Sequence, residues 1–137
     1  MKRFLIYTLI VVASYITGIL AFKATYNLLS IPEGSEYDLL FTGINLFFIF
    51  TVLPAYFFIM SLFRLFQIRS IILMGITLIL FGIIPSTFVP FLGGFGFIYL
   101  NSQYFQSELF ILLYSFFAAT AIAFSIGLFL SKKTLTE

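Results

Sequence analysis

The stretch LFILLYSFFAATAIAFSIGLFL, Leu109 to Leu130, runs 22 residues without a charged side chain. A helix rises about 1.5 Å per residue, so about 20 residues cross a hydrocarbon core of about 30 Å. Thirteen of these residues are Leu, Ile or Phe. At roughly −0.3 to −0.6 kcal/mol each they favour insertion by about 4 to 8 kcal/mol, which three Ser or Thr hydroxyls do not reverse. Within the stretch Ser115, Ala119, Ala123 and Gly127 recur every fourth residue, continued by Ser131, with Ala118 and Ser125 beside them. Residues four apart share one face of a helix, so the spacing predicts a groove of small side chains. Lipid tails are as apolar as Leu, so helices in a bilayer associate through close packing that small residues permit. Packing within one molecule and contact between copies both use such a groove.

Three more apolar runs precede it: Phe4 to Phe22, Leu39 to Phe63 and Ser70 to Leu92, of 19, 25 and 23 residues. None contains Asp, Glu, Lys or Arg. Free backbone groups find no partner in hydrocarbon, and runs of this length without alternation favour helix over barrel strand. The sequence therefore predicts an all-α integral membrane protein, a single domain of four transmembrane helices over 4–22, 39–63, 70–92 and 109–130. Composition agrees: of 137 residues 62% are hydrophobic and 9% charged, against about 25% charged in a soluble domain. The mean hydropathy is +1.18.

A shorter small-residue pattern, Ser14 and Gly18 with Thr17 and Ala21 alongside, marks the first run as a helix-packing or oligomer contact as well. Pro54 predicts a bend near Phe50 to Pro54, because it removes one ladder hydrogen bond. Pro85 and Pro90 predict a kinked or unwound end for the third run. The first run also admits a cleaved signal peptide. Its apolar stretch is longer than the usual one of about 7 to 15 residues, and no small-x-small signature stands near Lys23, so a retained helix is expected.

Orientation follows from the basic residues. With the N-terminus in the cytoplasm, Lys2, Arg3, Arg64, Arg69, Lys132 and Lys133 lie inside and Lys23 alone outside. The positive-inside bias thus predicts both termini in the cytoplasm, and abundant Phe and Ile without Trp, His or Cys suits the inner membrane of a bacterium with an AT-rich genome. Tyr26, Tyr37, Tyr99 and Tyr104 fall near the outer ends, where an interfacial belt belongs. The six residues Arg64 to Arg69 force the second and third helices into an antiparallel pair.

The chain contains neither Cys nor His. Disulfides, thiolate nucleophiles, imidazole acids or bases and thiolate or imidazole metal sites are all excluded. No cofactor or metal is expected. The acidic loop around Glu33, Glu36 and Asp38 lacks the spacing of a calcium loop, and Glu108 suits the favourable charge at a helix start. The net charge of +2 is spread too thinly for nucleic acid. Proton-coupled transport places an acid or base at membrane depth, and none stands there.

Asn45 is the strongest hydrogen-bonding side chain inside a run, and it calls for an intramembrane polar contact, with a bond to another helix the commoner use. Tyr15 and Tyr56 also carry hydroxyls into the apolar zone. The glycines of Gly93 to Phe97 fit an interfacial turn rather than a pore filter, since Pro90 leaves no room for a support helix. The expected function is non-enzymatic: a small inner-membrane protein whose partners are lipid and either itself, as a homo-oligomer, or another protein subunit. Membrane-sensing, phage-defence and immunity components share that size and topology. The alternative is an oligomeric channel or passive transporter lined by Asn45, Thr51, Thr77, Ser86 and Thr87.

Overall fold

Charged residues bound the lipid-soluble part of each run, and helices extend past them. In a computed structural model, which describes residues 1–30, 35–86 and 108–135, α1 covers Lys2–Leu28 and continues beyond Lys23, which is exposed. A lysine stem can lie along a helix while its ammonium reaches water, so the charge ends the apolar stretch without ending the hydrogen-bond ladder. The second run divides into α2 (Ser35–Phe47), a π-helical turn (Phe48–Val52) and α3 (Leu53–Leu65). The third becomes α4, Ile71–Ser86. The last helix, α5, covers Glu108–Leu135, with Glu108 in its first turn as the sequence predicts.

All regular secondary structure among the described residues is helical. Among the described residues three helical stretches are long and apolar enough to cross a membrane: Lys2–Leu28, Leu40–Leu65 and Phe110–Ser131. The 16 residues of α4 span about 24 Å and make a shorter fourth. Residues 87–92 of the predicted third span lie outside the described residues, and so does the unwinding expected there. Also outside are Glu33, the Gly93 to Phe97 turn, Tyr99 and Tyr104.

α5 is the central helix. Half of its apolar window is buried, against 17% for α1; it packs along α1 on one side and α4 on another. The core is Phe-rich, with Phe48, Phe116, Phe117 and Phe124 almost wholly enclosed beside Ile44, Leu78, Leu112 and Leu113. Leu5, Leu9, Val12, Ile16 and Leu20 of α1 are exposed. A helix apolar on both its packed and its open side belongs in a large core or in a membrane.

The connection after α3 is a Schellman turn. Ile68 N–H donates to Phe63 O at 2.9 Å and Gln67 N–H to Arg64 O at 3.1 Å, which satisfies the carbonyls left over at a helix end. Gln67 takes the left-handed conformation such a turn demands, at φ 55°. The short turn folds α4 back against α3, the antiparallel pair expected from the loop length.

Candidate functional site

Along α1, Ile10, Ser14, Gly18 and Phe22 are buried at steps of four, and this stripe rests on α5. A Cβ at Gly18 would overlap the methyl of Thr120 and stand 3.1 Å from the Phe116 ring. A Cβ at Gly127 would come within 2.8 Å of Ile10. Ser14 is enclosed, and its hydroxyl donates to Ile10 O at 2.6 Å. Of the groove residues on α5, Ser115, Ala119, Ala123 and Gly127 are half-buried, while Thr120, Ala121 and Phe124 next to them are enclosed. Gly18 and Gly127 therefore sit in one seam between α1 and α5.

Asn45 has its partner within the molecule: the Tyr15 hydroxyl donates to Asn45 Oδ1 at 2.8 Å, joining α1 to α2. A second polar contact lies deeper. Thr120 Oγ1 stands 3.4 Å from the Tyr56 hydroxyl and 2.9 Å from Phe117 O. A threonine hydroxyl has one proton, which goes to Phe117 O, so Tyr56 is the donor to Thr120. Gly82 lets α4 approach this pair, since a Cβ there would be 3.3 Å from the Tyr56 oxygen.

Aromatic rings tie the two contacts together. Tyr15 stacks on Phe48 at 5.7 Å, and Phe48 meets Phe116 edge-on at 5.8 Å and Tyr56 at 6.4 Å. Tyr56 packs on Phe124 at 5.1 Å. Such pairs contribute about 0.5 to 1.5 kcal/mol each beyond area burial. With 21 Phe in the chain, no single one stood out in the sequence. The usable signal was spacing: Phe116, Thr120 and Phe124 recur at four on the same helix as the small residues.

At Pro54, where the sequence predicts a bend, the ladder of the second run widens into the π turn. Leu53 N–H donates to Phe48 O, five residues back. The carbonyl of Ile49 thereby loses its usual donor, and that of Phe50 loses its own because Pro54 lacks an N–H. Most other described Ser and Thr side chains within helices return their hydroxyl to the preceding turn, as Thr42, Ser61 and Thr77 do. Thr51 has no such bond among the described residues. Ile49, Phe50, Thr51 and Pro54 are all exposed, near the middle of the Leu40–Leu65 span.

At the end of the bundle where α3 hands over to α4, side chains from all four helical stretches line an open cleft of about 250 Å³. Arg64, Gln67, Arg69, Tyr7 and Ser131 supply its polar groups, and Met60, Phe63, Met74 and Leu128 its apolar walls. Among the described residues no group of three or more Asp, Glu, His or Cys comes together as a metal site would require. Compared with known proteins, the chain matches no family model, no curated protein and no solved structure.

Proposed function

We propose that this chain crosses a bacterial cytoplasmic membrane four times with both termini inside, and that it acts without chemistry, through contacts of its helices with a second copy. It serves as a homo-oligomer or as the membrane subunit of a small system of the membrane-sensing, phage-defence or immunity type. The observation that carries the reading is the exposed side of the π turn, Ile49, Phe50 and Thr51 with Pro54. A carbonyl left unpaired costs several kcal/mol in hydrocarbon, and here two backbone acceptors without their regular i+4 donors stand beside Thr51, whose hydroxyl has no hydrogen bond among the described residues. A patch that offers one donor and two acceptors is complementary to itself about a twofold axis. Tyr15–Asn45 and Tyr56–Thr120 are paired within the molecule, whereas the exposed side of the π turn offers polar groups to a partner near the middle of its span.

The test uses the absence of native cysteine. Thr51→Cys places one thiol at the patch, and oxidation in the membrane is expected to give a disulfide-linked dimer. Ile16→Cys, on the exposed side of α1, is expected to stay monomeric. Equal cross-linking at both positions, or none at Thr51→Cys, overturns the reading.

The same observation favours one alternative. Several copies meeting at the π turn would direct its carbonyls and Thr51 toward a shared axis, as the lining of a channel does. Selective current through purified protein in planar bilayers establishes that alternative; electrical silence together with cross-linking at Thr51→Cys returns the reading to a contact surface.

A further inference from the structure

The cleft between α1, α3, α4 and α5 carries charge that nothing among the described residues balances. Arg64 is held from one side: its Nη2 donates to the Tyr7 hydroxyl, and its Cζ lies 5.7 Å from the centre of the Tyr7 ring. A guanidinium has five N–H donors in a fixed fork, so most of its donors remain for a ligand. Arg69 makes no ion pair among the described residues, and Asp38 and Glu108 stand near the starts of α2 and α5, at the opposite end of the bundle. Below the two arginines the walls turn apolar, with Met74 and Leu128 only 6% and 4% exposed. A cationic rim over an apolar floor matches, group for group, an anionic headgroup above its acyl chain.

We propose that this cleft binds the phosphodiester of an anionic glycerophospholipid, with Arg64 and Arg69 on the phosphate oxygens, Gln67 beside them, and the first methylenes of an acyl chain against Met74 and Leu128. The arginines flank the ends of membrane spans, the depth at which lipid phosphates lie, and basic pockets between helices at the cytoplasmic face are where such headgroups are held. A volume of about 250 Å³ falls below the roughly 300 to 1,000 Å³ of pockets for drug-sized ligands, and suits a headgroup. Free phosphate would satisfy the arginines while leaving the apolar floor without an occupant. The proposal rests on the chain lying in a membrane and is independent of whether it pairs with itself.

Native mass spectrometry of the whole protein, released from detergent micelles with equal phosphatidylglycerol and phosphatidylcholine, reads the site directly. Retained phosphatidylglycerol is expected on the unaltered protein, with little phosphatidylcholine. Each arginine lost removes a charge-assisted contact worth about tenfold in affinity, so Arg69→Gln is expected to reduce retention about tenfold and Arg64→Gln, Arg69→Gln together about a hundredfold. Arg64→Lys with Arg69→Lys keeps the charge and restores part of it. Equal retention of the two lipids by the unaltered protein overturns the proposal, whether or not the variants fold. So does undiminished retention in a folded double Gln variant. Inorganic phosphate forms the second arm: if it displaces the lipid and stabilises the protein equally well, the source is free phosphate and the lipid assignment fails.

Discussion

Gly18 of α1 and Thr120 of α5 approach so closely that a single added methyl group at position 18 would overlap the threonine. Thr120 is β-branched and stiff, its hydroxyl is committed to Phe117 O, and it is itself the acceptor for Tyr56. It has nowhere to retreat. Gly18→Ala is therefore expected to destabilise the bundle by about 1 to 3 kcal/mol, the usual cost of overpacking. Thermal unfolding in detergent measures it. Ala13→Leu, on the exposed side of the same helix, serves as the reference, and an equal effect from both would contradict the seam.

Tyr15 and Asn45 should be coupled. Hydrogen bonds between helices in bilayers average about 0.6 kcal/mol and reach about 1.7. A double-mutant cycle of Tyr15→Phe and Asn45→Leu is expected to return a coupling within that range. Additive effects would mean that the 2.8 Å bond contributes nothing to folding.

These contacts divide what the sequence discloses from what it conceals. The apolar runs were readable because hydropathy is a property of each stretch alone, whereas the small residues Ser14 and Gly18 pointed to close packing without saying which helix they would face. The partner of Asn45 was not, since Tyr15 lies 30 residues away and nothing local links them. The α5 groove was readable as a pattern, whereas the enclosed line runs through Phe116, Thr120 and Phe124, because neighbouring helices also choose faces by ring packing. Lys23 hid the true length of α1, since charge reports where lipid ends and hydrogen bonding decides where the helix does.

Gln67 and Ser30 both stand at positive φ, 55° and 50°, where a side chain costs about 1 to 2 kcal/mol. Each follows a helix end, the place glycine usually takes. Ser30→Gly is expected to raise the melting temperature, by up to about 1 kcal/mol of stability after glycine's greater freedom in the unfolded chain is deducted. Gln67→Gly should behave alike. A lower melting temperature in both would show that their side chains contribute more than the strain removes.

Pro54→Ala returns an N–H to the widened turn. The expected result is a regular ladder through residues 48–54, seen as slower amide hydrogen exchange at Leu53 and a protected new amide at position 54, together with weaker cross-linking of Thr51→Cys. Unchanged exchange at Leu53 would show that the turn persists without proline, held by the rings around Phe48.

The π turn also decides which way the far half of the second span looks. Leu40, Ile44, Phe48, Val52 and Tyr56 are enclosed at successive steps of four. Each such step in a regular α-helix overshoots a full revolution by about 40°, and four of them would carry the line about 160° round, leaving Tyr56 pointing into the oil. The extra residue taken up between Phe48 and Leu53 gives back about 100°. It works as an intercalary day does in a calendar: a small irregularity that keeps the two ends of a long count pointing at the same season.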